Sequence, residues 1–175
     1  MKVNKMGTFN AKILAEFQPP RKWKLGRELS YSTTDLKRED IKVLRDVGVD
    51  VKRDTDISPA VITVPNEFMT DLASTPRALW AFIAPFDVAR AAVVHDILYE
   101  KINTQYKVVN ESAAAEDGPA TKREREAYRK IADDVFLEGM HASEPPVPAW
   151  KKYAAYYAVR MFGRWAINSS AKREV

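Results

Sequence analysis

The sequence contains no cysteine and no long apolar run. Without cysteine, disulfides and thiolate-ligated zinc are excluded, so a metal would need carboxylate, histidine or carbonyl ligands. This donor set favours calcium or magnesium and still admits zinc with mixed His and Asp ligands. No stretch reaches the roughly 18 apolar residues of a membrane span. The first residues combine lysines with neither an apolar block nor a cleavage site, so we expect no transmembrane segment and no signal peptide.

Acidic residues are scarce at both ends of the chain. Residues 1–30 carry seven Lys and Arg against two Glu, and residues 151–175 carry six against one, while the net charge is only +4. Basic ends can contact nucleic acid or anionic surfaces, but they are also typical of solvated termini, and no nucleic-acid-binding motif is present. Hydrophobic content of 46% with 30% charged residues predicts a globular, soluble chain.

The order of the predicted elements indicates an α+β fold, because strands come first and helices follow. We expect N-terminal antiparallel β-strands packed on a C-terminal bundle of about three helices. Residues 32–57 fit either a helix or two strands. The chain is interpreted as a single domain over 1–175, with a β-rich part at 1–65, a helical part at 66–168 and a flexible tail at 169–175. Strands are predicted within 9–17, 22–31 and 60–65.

The helical part is predicted to contain three longer helices. Residues 66–85 look like a loop leading into a short helix capped by Ser74 or Thr75. The first long helix begins after Asp87 and reaches about Asn103, and residues 104–120 are read as a polar loop. The other helices begin near Pro119 and at Trp150. An apolar stripe on the last helix is expected to lie in the core; it consists of Trp150, Tyr153, Ala154, Tyr157, Ala158, Met161 and Trp165.

One of the chain's two histidines lies in the first long helix, within "DVARAAVVHDILYE". Helical spacing places His95 on the apolar face, with Tyr99 one turn later on the same side. The next helix carries Asp133 and Asp134 in or beside its buried stripe, and a buried carboxylate requires a partner. We therefore expect one of these carboxylates to bind His95 and to fix its tautomer.

Two interpretations of this pair stay open. In a catalytic dyad, His95 would take a proton from water, and Asp96, rotated by about 100° on the helix, would hold a cation that polarises the substrate. In a scaffold, His95 would be a core histidine that bridges two helices. Spacing alone does not decide between them.

Four segments resemble a family of small phage and prophage proteins that carries a domain-of-unknown-function label. The resemblance covers residues from about Trp23 to Trp165 and implies a phage or prophage origin without supplying an activity. Glu67 stands where that family usually has glycine. The segments are "VPNEFMTDLASTPRALW", "ARAAVVHDILYE", "ADDVFLEGM" and "YYAVRMFGRWA".

The "ARAAVVHDILY" and "ADDVF" pair also resembles the catalytic helices of secreted and parvoviral capsid phospholipases. That resemblance implies His95 as general base, Asp96 as a calcium ligand, and Tyr99 with Asp133 as the pair that orients His95. Those enzymes bind calcium with a glycine-rich loop, whereas "APFDVA" before His95 has no glycine. Asp71 is therefore the candidate for a second metal ligand; alternatively, it caps a turn.

The resulting hypothesis is a phage-encoded protein with a hydrolase-like site for ester hydrolysis on lipid or cell envelope, assisted by calcium or zinc. The alternative is a non-catalytic structural or accessory component of a phage particle, associated with the tail, in which His95 and Asp133 lock two helices. A third possibility is a host-defence antagonist that acts by binding. The expected partners are other virion proteins or lipid, and the expected location is the bacterial host cytoplasm or the virion.

Overall fold

Residues 7–20, 22–70, 88–112 and 119–170 are described by a computed structural model. Within them, antiparallel strands come first and long helices follow, which confirms the predicted α+β fold. The strands are β1 Thr8–Phe9, β2 Ala15–Gln18, β3 Lys22–Leu25, β4 Leu29–Thr33, β5 Val51–Lys52, β6 Ala60–Val64 and β7 Met69–Thr70. The helices are α1 Arg38–Asp46, α2 Ala89–Ser112, α3 Pro119–His141 and α4 Ala149–Ser170.

The larger sheet has the order β1-β4-β6-β5 and is antiparallel throughout. Its two central strands alternate between buried and half-buried residues, as expected for a sheet with one face on the core. In β4 and β6 the buried side chains are paired across the strands, for example Tyr31 with Ile62. This inner face packs against α2, which carries the candidate histidine.

The ambiguous segment 32–57 contains both kinds of structure, a helix followed by a short strand. The Lys37 amide donates to the Asp40 carboxylate at 3.0 Å at the start of α1, while Ile41 and Leu44 bury its apolar side. The helix ends at Asp46, and Gly48, whose φ of 83° favours glycine, follows two residues later and turns the chain towards β5. Both predicted alternatives are therefore partly right: a capped helix comes first, and a strand follows after Gly48.

The smaller sheet has the order β2-β3-β7. The predicted strand over 9–17 is divided into β1 and β2, and β7 lies where the sequence was read as a loop. The caps proposed at Ser74, Thr75 and Asp87 lie outside the described residues. β7 places the end of this sheet beside α2, because Thr70 contacts that helix.

Helix α2 continues to Ser112, nine residues beyond its predicted end at Asn103, so the predicted loop over 104–120 is too long. Tyr106 explains part of the extension, since it is buried with its ring centroid 6.1 Å from that of Tyr128 on α3. Helix α3 begins at Pro119, as predicted. The two helices pack along each other and present the candidate residues to one another.

The prediction that the apolar stripe of α4 lies in the core is wrong for its large residues Trp150, Tyr153, Tyr157 and Met161, which are exposed. It holds for Ala158, which is buried together with Ala155 and Val159, and the side chain of Trp165 lies outside the described residues. Small residues allow α4 to approach α3 closely. Tyr156 and Arg160, which the predicted stripe did not include, donate to carboxylates of α3.

Candidate functional site

His95 lies on the face of α2 that packs against the core. Its neighbours Val94 and Leu98 are buried, as helical spacing predicts, and His95 itself is 6% exposed. Phe136 of α3 packs against the imidazole with ring centroids 4.9 Å apart. Apolar packing therefore fixes the ring, and its nitrogens require polar partners.

Asp133 brings together the three residues predicted as the catalytic group. Its Oδ1 atom lies 2.8 Å from His95 Nε2 and accepts a hydrogen bond from the Tyr99 hydroxyl at 2.7 Å. The rings of His95 and Tyr99 lie one turn apart on α2, with centroids separated by 4.1 Å. With Asp133 ionised, Nε2 must carry a proton, so the lone pair of the neutral tautomer is on Nδ1.

Arg160 of α4 binds the other oxygen of this carboxylate. Its Nη1 atom donates to Asp133 Oδ2 at 2.9 Å, and its Nη2 atom donates to Glu126 at 2.9 Å. Arg129 donates to the second oxygen of Glu126 at 3.3 Å. Three helices thus meet at Asp133, which is 0% exposed.

Arg129 adds a buried positive charge beside Tyr99. Its guanidinium carbon lies 5.6 Å from the centroid of the tyrosine ring. Within the described part of the chain, its Nε and Nη2 atoms have no hydrogen-bond partner. The guanidiniums of Arg129 and Arg160 face the carboxylates of Asp133 and Glu126. The two positive and two negative charges therefore cancel without a charge on the imidazole.

The protonation of the site follows from its hydrogen bonds. Burial alone would raise the pKa of Asp133, but hydrogen bonds from His95, Tyr99 and Arg160 outweigh burial and lower that pKa. Burial, and then the charge of Asp133, raise the pKa of the Tyr99 hydroxyl. Asp133 is therefore a carboxylate and Tyr99 a neutral donor at neutral pH.

Asp96, the predicted metal ligand, points to a different partner. Its Oδ2 atom accepts a hydrogen bond from the Thr70 hydroxyl at 2.5 Å. Asp71, the other predicted ligand, follows Thr70 in the chain but lies outside the described residues. Among the described residues, no group of three or more His, Asp or Glu side chains could hold a metal ion. These residues alone do not form a metal site.

Sequence reasoning missed Glu126, Arg129 and Arg160. The seven-residue spacing of Glu126 and Asp133 places them on one side of α3 and could have indicated a buried acidic pair. Such a pair needs cations, and Arg129 lies at a matching helical position. Arg160 could not be assigned, because only the packing of α4 brings it to Asp133.

The fold and the site define an α+β protein whose helices carry a buried His–Tyr–Asp cluster. A protein-family model, described as protein of unknown function (DUF1353), matches residues 44–159, which is more than half of the chain. The chain therefore belongs to the DUF1353 family, and the expected membership of a family of unknown function is confirmed. No curated protein and no solved structure matches it. None of the described helices has the length and apolarity needed to cross a membrane.

Proposed function

We propose that this DUF1353 protein is an ester hydrolase of phage or prophage origin that acts on lipid or cell envelope. The observation that carries the proposal is the shared Oδ1 atom of Asp133, which binds both His95 Nε2 and the Tyr99 hydroxyl. An imidazole oriented by a buried carboxylate through one nitrogen is the arrangement of a general base. The same residues, in the same roles, are those implied by the resemblance to phospholipases.

In the proposed reaction, the free lone pair of His95 Nδ1 takes a proton from a water molecule as the water oxygen attacks the ester carbonyl carbon. Asp133 stabilises the resulting imidazolium, and Tyr99 holds Asp133 in place. The imidazolium then gives its proton to the leaving alkoxide as the carbon–oxygen bond breaks. The products are a carboxylic acid and an alcohol, and His95 returns to its neutral form.

A calcium or zinc ion remains part of the proposal, with Asp96 and Asp71 as its ligands. Because the described residues do not complete a metal site, this ion depends on Asp71. When bound, it would polarise the ester carbonyl. The proton transfers assigned to His95 do not require it.

A second candidate function is a non-catalytic accessory component of a phage particle, associated with the tail. The burial of the site favours it, since His95 is 6% exposed and Asp133 is fully buried. In this role the pair joins α2 and α3, and Arg160 adds α4. The two candidate functions predict different effects of removing the imidazole on hydrolysis and on stability.

The test is the variant His95→Gln, with His141→Gln as a matched control at the other histidine. Glutamine can donate an N–H to Asp133 but cannot act as a base. With a p-nitrophenyl ester and an ester-linked phospholipid as substrates, we expect H95Q to lose about 100-fold or more of the hydrolysis rate. H141Q should hydrolyse both substrates like the wild type.

Thermal unfolding of the same proteins completes the test. Hydrolysis by the wild type that is lost in H95Q, with a similar melting temperature, supports the enzyme. Equal hydrolysis by the wild type and H95Q excludes His95 as the base. A wild type that hydrolyses neither substrate, with a large loss of stability in H95Q, favours the accessory component.

A further inference from the structure

The exposed side of α4 carries four large apolar side chains in a row. Trp150, Tyr153, Tyr157 and Met161 follow one another at spacings of three, four and four residues and are 58%, 46%, 60% and 67% exposed. These spacings place them on one face of the helix. An aligned group of this kind marks an interaction surface rather than scattered exposure. We name these four residues the α4 stripe.

The charge of α4 is of one sign. Residues 149–170 contain four Lys and Arg and no Asp or Glu. Lys151 lies over the Trp150 ring, 5.8 Å from its centroid. Three carboxylates of α3 contact this helix: Asp133 and Glu126 pair with Arg160, and Asp134 is bound by Lys130 and by the Tyr156 hydroxyl. Lys151, Lys152 and Arg164 add to these charges, so the helix that bears the α4 stripe still carries an excess of positive charge.

We propose that the α4 stripe docks onto the surface of an anionic lipid bilayer. Tryptophan and tyrosine are the side chains that membrane interfaces favour, and lysine and arginine beside them bind anionic headgroups. A second copy of the chain fits less well. A symmetric contact through two α4 stripes would bring together two helices that carry Lys and Arg but no Asp or Glu of their own.

The helix that bears the α4 stripe also contacts the cluster of His95, Tyr99 and Asp133. Met161, the most exposed residue of the α4 stripe, directly follows Arg160, which binds Asp133. The bilayer therefore holds the site near ester-linked lipids. This step alone rests on the proposed hydrolase function, whereas docking does not.

The test measures co-sedimentation of the full chain with vesicles of ether-linked lipids, which an ester hydrolase cannot cleave. One set contains phosphatidylcholine alone, and the other contains phosphatidylcholine with phosphatidylglycerol. The variant Tyr157→Ser/Met161→Ser shortens the α4 stripe. Ile57→Ser is the matched control, because Ile57 is 92% exposed and lies between β5 and β6 rather than on α4.

We expect the wild type and I57S to bind the anionic vesicles, more weakly as salt is added, and the double variant to bind about tenfold less. The proposal would be overturned by no binding of the wild type, by equal binding of the double variant, or by the same loss in I57S. A wild-type dimer in light scattering that becomes a monomer in the double variant would identify a second copy as the occupant and also overturn it. Binding without hydrolysis of ester-linked lipid would reject only the proposed function.

Discussion

Arg160 and His95 bind opposite oxygens of Asp133, at 2.9 and 2.8 Å. The carboxylate therefore receives a cation from α4 on one side and an imidazole from α2 on the other. An imidazole opposite an ionised carboxylate keeps its tautomer, and an arginine on the second oxygen keeps the carboxylate ionised. Asp133 is thus the residue on which both stability and the proposed chemistry depend.

The substitution Asp133→Asn should be strongly destabilising. It removes the buried charge that pairs with His95 and Arg160 and leaves Arg160 with Glu126 alone, and breaking a buried ion pair costs about 3 to 5 kcal/mol in the free energy of unfolding. Because the pKa of Asp133 is lowered in the folded protein, the wild-type advantage is present above pH 3.8 and declines below it. Urea unfolding at several pH values measures both effects.

Asp134→Asn is the control for this substitution. Asp134 is next in the chain and is also ion-paired, but its side chain is 49% exposed. We expect it to change the free energy of unfolding by less than about 1 kcal/mol. Equal losses in the two variants would contradict a special role for Asp133.

Tyr99→Phe should separate orientation from packing. It removes the hydroxyl that donates to Asp133 but keeps the ring beside His95. We expect a loss of about 1 kcal/mol in the free energy of unfolding, and a fall in kcat with little change in KM. Tyr128→Phe serves as the comparison, because no hydrogen bond of its hydroxyl is found among the described residues. If Y99F keeps the wild-type kcat, Tyr99 does not position the base.

The contribution of Glu138 to stability should change with pH in the direction opposite to that of Asp133. Burial raises its pKa above the ordinary 4.5, although its carboxylate accepts a hydrogen bond from Thr33 at 2.6 Å. The folded state then binds the proton more tightly than the unfolded state, so Glu138 contributes stability below pH 4.5 that is lost as pH rises through its folded pKa. The variant Glu138→Gln removes this dependence.

Urea unfolding between pH 4 and 7 measures this effect. The stability of E138Q relative to the wild type should increase with pH. Thr33→Val removes the hydrogen bond that lowers the pKa of Glu138, and it should make the wild-type trend steeper. If the free energies of unfolding of E138Q and the wild type differ by the same amount at every pH, the raised pKa of Glu138 does not affect stability.

The proposed cation can be tested without an activity assay. Calcium or zinc added to the wild type should raise its melting temperature, because a ligand that binds only the folded state stabilises it. Asp96→Asn and Asp71→Asn should abolish that rise, and chelation should reverse it. Asp56→Asn is the control, since Asp56 pairs with Arg38 on the surface. A rise that persists in D96N would place the ion elsewhere.

The helical face of His95 and a carboxylate partner on the next helix were predictable from the sequence, whereas the choice of Asp133 and the role of Tyr99 came from the resemblance to phospholipases. Spacing of three and four residues orders side chains along a helix, and a buried carboxylate limits the possible partners. The same periodicity failed for the large residues of the stripe on α4, which are exposed. The inward side of that helix carries small residues and Arg160, whose partner Asp133 lies on another helix.

Other features depend on contacts that a local pattern does not encode. The extension of α2 to Ser112 involves packing between Tyr106 and Tyr128, residues on different helices. Strand β7 is only two residues long, too short for an alternating pattern. In both cases the decisive neighbour lies far away in the chain.

The segment that defines the family is smaller than the unit that must fold. The family match begins at residue 44, whereas β4 ends at Thr33 and pairs with β6 along all five of its residues. A chain trimmed to residues 44–159 would expose the edge of β6 and uncover Ile62, and it would also lack Arg160. Such a fragment should aggregate on expression, so a soluble form of this protein requires the preceding strands and the last helix.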